Sequence, residues 1–203
     1  MKKTLLIISL TFLTITAVKS QEKIQFGAKG GINFTSMTSD FLNNKEFKTG
    51  FHIGLLAEIP FGEKFSLQPE ILYSTHGVKG EVILLYVPFP GAPVPPPISG
   101  EFKLNYIQIP VLAKIYLAKN FSLELGPSFN FLVKDEENYG TVSRSDIGSN
   151  FEFSGILGLS YKLNSNLFGS IRYVNGFTVA FDRESYDEDA KNIGFQLGIG
   201  YMF

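Results

Sequence analysis

With 203 residues, 18 basic against 19 acidic side chains and a formal charge of -1, the chain has the length of one domain and no electrostatic case for nucleic acid. Charged residues make up only 18%, below the usual quarter of a soluble domain, whereas Gly (20), Phe (20) and Tyr (9) are abundant. The lack of cysteine excludes a disulfide framework, a thiolate metal site and a lipid-modified N-terminal cysteine, and no cofactor or metal is expected.

Residues 1–20 carry Lys2 and Lys3, then a short apolar run interrupted by Ser9, Thr11, Thr14 and Thr16, with Val18 and Ser20 at small-residue positions before Gln21. This reads as a secretory signal peptide, too short and too polar for a membrane anchor. Its removal takes three lysines and no acid, leaving a formal charge of -4 on residues 21–203. Beyond Gln21 no stretch approaches ~18 uninterrupted apolar residues, so a bilayer could be crossed only by a closed barrel.

Eight segments then alternate a greasy and a small or polar face, the two-residue period of a half-buried strand. Residues 24–34 set Ile24, Phe26, Ala28, Ile32 and Phe34 against Gln25, Gly27, Lys29, Gly31 and Asn33. Residues 47–59 set Phe51, Ile53, Leu55, Ala57 and Ile59 against Lys48, Gly50, His52, Gly54 and Glu58. Residues 65–75 follow with Phe65, Leu67, Ile71 and Tyr73 opposite Ser66, Gln68, Glu70 and Ser74. In residues 102–117, Ile107 to Leu117 alternate cleanly, but Phe102 and Leu104 have the wrong parity, so a bulge is expected near Tyr106. The same alternation recurs in residues 121–133, 151–163, 167–177 and 192–203.

The connections alternate as well. Tight turns are expected at 60–64, 118–120 and 164–166, and long polar or Pro-rich loops at 35–46, 77–101, 134–150 and 178–191. Short periplasmic turns and long extracellular loops mark an outer-membrane barrel. The expected fold is therefore all-β: an eight-stranded antiparallel up-and-down transmembrane β-barrel over residues 21–203. No fixed repeat period suggests a solenoid.

Alternation alone does not separate this from a soluble, lipocalin-like barrel. The polar face does so, because its charges are Lys29, Lys48, Lys114, Lys162 and Arg172 against Glu58, Glu70, Glu124 and Glu152. These nine are too few to solubilise an exterior, but they suit a narrow interior in which opposite charges pair. Aromatic residues near the strand ends of the other face fit two interfacial girdles.

Three segments carry a resemblance: Phe-Ser-Leu-Gln-Pro-Glu-Ile-Leu-Tyr at 65–73, Tyr-Ile-Gln-Ile-Pro-Val-Leu-Ala-Lys at 106–114 and Leu-Gly-Pro-Ser-Phe at 125–129. They resemble the Bacteroidetes outer-membrane β-barrel proteins called porin-family or PorT-like, related in architecture to small OmpA and OmpX-type barrels. The terminal Tyr201-Met-Phe203 resembles the aromatic-ended strand by which barrel-assembly machinery recognises its clients. The resemblance covers nearly all of residues 21–203 and implies the fold and a location in the bacterial outer membrane. It brings no catalytic or binding residues with it.

Glu70, Lys114, Glu124 and Arg172 are expected to form an ion network in the lumen, acting as a structural plug rather than as a charge-lined pore. His52, Glu70 and Ser74 invite a hydrolase reading, since counting from the 60–64 turn puts His52 opposite Leu72 with the other two as diagonal neighbours. A hydrogen-bond network is the expected role instead. Pro69, Pro110 and Pro127 lie mid-strand at similar heights, where each removes a ladder donor. The Pro-rich stretch 87–100 is expected to be a poorly ordered loop, with a stiff apolar grip on a partner as the alternative, and Asp187, Glu188 and Asp189 read as a solvated acidic tip rather than a divalent-ion site.

The expectation for function is a small structural or partner-binding membrane protein with a largely plugged lumen, and not an enzyme. A narrow porin-like channel or a secretion-system-associated barrel is the alternative, with an outer-membrane lipid-modifying enzyme behind both. The expected partners are outer-membrane lipid, the barrel-assembly machinery and an extracellular partner held by the long loops.

Overall fold

The computed structural model describes residues 23–38, 43–82, 96–139, 142–145, 148–180 and 190–203. The leader at 1–20, most of the Pro-rich stretch and Asp187 to Asp189 lie outside the described residues.

The described chain forms one antiparallel sheet: β1 (Gln25–Thr38), β2 (Asn43–Pro60), β3 (Phe65–Val82), β4 (Ile98–Ala118), β5 (Phe121–Tyr139), β6 (Val142–Arg144), β7 (Phe151–Lys162), β8 (Leu167–Gly176) and β9 (Lys191–Met202). Its order is β4-β3-β2-β1-β9-β8-β7-β5-β6, and an additional β4–β5 pairing closes it. The ring holds eight strands, with β6 appended to β5 as a short extra strand. Closure matters physically, because hydrocarbon offers no hydrogen bonds to a free strand edge.

The greasy face points outward. Ile53 (59%), Ile199 (55%) and Ile171 (48%) are exposed, whereas Lys114, Arg172, Glu124 and Glu152 are at most 1% exposed. In a soluble barrel the two sets would be exchanged.

Four details depart from the sequence reading. The strands run into the expected loops: β1 to Thr38, β2 from Asn43, β3 to Val82, β4 from Ile98 and β5 to Tyr139, so β2 to β5 rise as a tall wall at the loop end. Phe102 and Leu104 keep the inward parity of β4 and are fully buried. A register shift does fall at Asn105/Tyr106, but Asn105 pairs with Lys134 and Tyr106 with Leu132, so the extra residue is Val133 on β5. The β2–β3 hairpin closes at Phe61 and Phe65, where Phe61 N–H donates to the Phe65 carbonyl at 2.8 Å. His52 therefore stands opposite Ser74 and not Leu72.

The lumen is also less polar than its sequence face suggests. Met37, Val78, Phe102, Leu104, Tyr106, Ala180 and Ala190 form a buried apolar layer toward the loop end. Leu112, Ile156 and Val174 form a second group, and Leu56, Phe168 and Met202 a third near the turns.

The three prolines occupy neighbouring rungs. Pro69 pairs with Val111, Pro110 with Ser128 and Pro127 with Gly155, so they step across β3, β4 and β5 at nearly one height. The β3–β4 pairs resume only at Leu72–Gln108 and the β4–β5 pairs at Ala113–Leu125. The missing donors account for these gaps.

Candidate functional site

Alternation sends even-numbered residues of β3, β4 and β8, and of β5 as far as Leu132, into the lumen, and from there the ring geometry decides which of them meet. Arg172 on β8 is the centre. Its Nη1 and Nη2 donate to Glu70 at 2.8 and 2.7 Å, and its Nε donates to Glu124 at 2.7 Å. This uses the planar fork of guanidinium, which can grip one carboxylate with two parallel bonds and still reach a second.

Lys114 on β4 donates to Glu58 at 3.2 Å and to Gln68 at 3.0 Å, and lies 3.9 Å from Glu124. Lys29 on β1 lies 3.7 Å from Glu70, and Gln68 donates to Glu70 at 2.6 Å. Glu58 also accepts from Ser66 at 3.2 Å and from Tyr116, with Lys162 at 3.7 Å. Glu70, Lys114, Glu124 and Arg172 are thus brought together, and Lys29 and Glu58 join them. The sequence places those two on the polar face but does not single them out for the cluster. Their signal was charge on that face, but which charges touch depends on barrel shear.

Glu152 behaves differently. It accepts from Tyr106 at 3.2 Å, from Asn130 at 3.3 Å and from Asn192, all neutral donors, and no described ion pair involves it. The expectation that each interior carboxylate is met by a cation fails here because Lys48, the remaining interior cation, turns toward Glu101 at 4.0 Å.

His52 is fully buried and does not reach Glu70 or Ser74. Its Nδ1 pairs with Asn33 Oδ1 at 2.7 Å. Asn33 Nδ2 donates to Ser74 Oγ at 3.0 Å and to the Phe51 and Thr75 carbonyls at 3.1 and 3.0 Å, while Ser74 Oγ pairs with His76 Nε2 at 3.0 Å. Asn33 therefore separates His52 from Ser74; Ser74 meets His76 instead, and among the described residues no carboxylate is hydrogen-bonded to either histidine. Asn33 was visible only as one polar-face residue among many.

At the loop end, Lys134 and Glu136 form a surface pair at 2.5 Å, and Lys103 lies 3.6 Å from Glu101 and 4.0 Å from Glu136. The hydrogen bond between them, followed by their mutual attraction, raises the Lys134 pKa and lowers that of Glu136. Such exposed pairs contribute little to stability.

The terminal strand is firmly held. Phe203 N–H donates to the Phe26 carbonyl at 2.8 Å, and Asn166 Nδ2 donates to the Met202 carbonyl at 2.7 Å. Tyr201 and Phe203 face outward with rings 6.1 Å apart.

Comparison with known proteins agrees with this architecture. Among solved structures, Neisserial surface protein A matches with a TM-score of 0.58 at 12% identity, covering 90% of this chain and 100% of that one. Ail, the attachment invasion locus protein of Yersinia pestis, matches with a TM-score of 0.51 at 17% identity, covering 89% and 99%. At these identities the likeness is one of fold. No curated protein matches. The model of the outer membrane protein β-barrel domain family matches residues 19–182. A closed eight-stranded ring with a greasy outer wall, matched over most of its length by that model, belongs to the outer membrane protein β-barrel domain family and resides in the bacterial outer membrane.

Proposed function

We propose that this protein is a non-conducting scaffold barrel that presents its tall loop-end wall to a partner outside the cell. The observation that carries the reading is the bridge from Arg172 on β8 to Glu70 on β3 and Glu124 on β5. These side chains cross the lumen, and the apolar layer of Met37, Phe102, Leu104 and Ala180 lies above them. An ion entering this lumen would have to break charge-assisted bonds in a water-poor interior, a costly step.

The wall of β2 to β5 gives the loops a rigid base, the usual division between scaffold and recognition surface. Ail is described in complex with a heparin analogue. The outer recess here carries Glu46, Glu81 and Glu101 against Lys79, and Lys48 and Lys103 flank Glu101, so it offers no basic surplus for a polyanion. We do not read an enzyme, because the histidine–serine grouping around Asn33 has no hydrogen-bonded carboxylate among the described residues. The finer placement among Bacteroidetes PorT-like barrels, a leader at 1–20 and an assembly signal in Tyr201 and Phe203 belong to the same reading.

Planar-bilayer recording tests the closed lumen. Reconstituted barrels should give no discrete conductance steps, and reproducible single-channel openings would overturn the plug. Crosslinking on intact cells should trap a partner through the loop end rather than the turn end.

A further inference from the structure

The turn-end mouth of the barrel has a lining richer in cations than in anions. At the turn end an open pocket of about 670 Å³ is lined by Lys23, Lys64, Lys119 and Lys162 against only Glu58 and Glu63. This basic mouth stands against a chain whose overall charge is -1.

Glu58, on the pocket floor, is already met from within. It accepts from Lys114 at 3.2 Å, from Ser66 at 3.2 Å and from Tyr116. Lys162 lies 3.7 Å from the same carboxylate and sits over the Tyr116 ring at 4.9 Å, which holds its half-buried ammonium toward the opening. Among the described residues, Lys23, Lys64 and Lys119 take part in no ion pair. Pro60, Leu117 and Ala118 supply an apolar side to the same cavity.

We propose that the turn-end mouth binds a small multivalent anion, one carrying two or more carboxylate or phosphate groups on a compact carbon or phosphate skeleton. A single exposed ion pair contributes little, so one carboxylate would not be retained. Several ammoniums converging on a cleft with low-dielectric walls act together, because the walls focus their field into the opening. The lysines sit on separate segments, Lys64 and Lys119 on two turns, Lys23 ahead of β1 and Lys162 at the end of β7, so a ligand must offer its charges several ångströms apart to engage more than one. The periplasmic position of the short turns gives two sources of this chemistry, a soluble anion or the headgroup phosphates of the inner leaflet.

The test uses the folded full-length barrel in phosphatidylcholine nanodiscs, titrated calorimetrically with tripolyphosphate and with citrate. Saturable binding is expected that weakens at least tenfold in the Lys64→Gln/Lys119→Gln double variant and falls steeply with salt. The Lys103→Gln/Lys134→Gln variant at the other end should bind as the parent does. Repeating the titration in discs containing phosphatidylglycerol separates the sources. Competition by that lipid, lost in the Lys64/Lys119 variant, assigns the headgroup, and unchanged affinity assigns the soluble anion. Absence of saturable binding of both probes without lysine-dependent enrichment of phosphatidylglycerol, or equal loss in both double variants, would overturn the proposal. Should the Lys64/Lys119 variant fail to fold, Lys23→Gln with Lys119→Gln provides the same comparison.

Discussion

Arg172 and Glu70 stand on opposite walls of the ring, β8 and β3 being four strands apart around the closed barrel, and a bidentate ion pair of 2.8 and 2.7 Å joins them across the axis. The pair makes the lumen a braced interior. Replacing Arg172 by Leu removes the hydrogen-bonded cation of both Glu70 and Glu124 in a water-poor core, leaving only Lys29 at 3.7 Å and Lys114 at 3.9 Å beside them. The expected cost is about 3 to 5 kcal/mol, the usual result of leaving a buried charge without its partner. Urea unfolding of the detergent-folded barrel, followed by the gel mobility difference between folded and boiled protein, measures it. An unshifted midpoint would show that the bridge does not brace the fold.

Asn33 offers an independent check on the second interior network. Asn33→Ala removes the partner of His52 Nδ1 and one donor to Ser74, and it leaves two carbonyls short of a bond. A loss of about 1 to 3 kcal/mol is expected in the same unfolding assay. If His52 served catalysis instead, stability would change little while an enzymatic readout would fall.

Glycine at 54 keeps two strands close. A Cβ there would stand 2.0 Å from the Ile71 carbonyl oxygen and 2.8 Å from Leu72 Cα, contacts that only backbone movement could relieve. Gly54→Ala should therefore destabilise by about 1 to 3 kcal/mol, as overpacking does elsewhere. Gly169→Ala is the matched control, since its Cβ would find nothing nearer than 3.9 Å. Equal effects of the two substitutions in urea unfolding would contradict the close approach.

The lipid-facing wall predicts a gradient with depth. Ile171, flanked by Leu159 and Leu197 on the neighbouring strands, lies mid-strand and outward. Ile171→Arg is expected to cost about 2 to 4 kcal/mol, and Leu163→Arg, at the turn end, about 0 to 1 kcal/mol. Folding into liposomes at graded urea measures both. A larger effect at Leu163 would mean that the hydrocarbon zone lies elsewhere on the barrel.

Period-two alternation is a local property, so the sequence by itself determined that Arg172, Glu70, Glu124 and Lys114 share one face and that Ile53, Ile171 and Ile199 share the other. The sparse charge of the first face, together with the alternation of short and long connections, also determined which face meets lipid. Tertiary structure alone decided the contacts. A one-residue difference in where the β2–β3 hairpin closes moves the pairing by two positions, which is why His52 meets the Ser74 rung, while the β1–β2 register brings Asn33 to His52. The inward course of Phe102 and Leu104 was equally illegible, because an apolar residue of inward parity looks like a bulge until a core is known to lie there. Closure of the ring then set β8 opposite β3 and allowed residues 102 positions apart to form the central bond. Distance across a barrel depends on strand number and shear, which are properties of the assembled sheet and of no single strand within it.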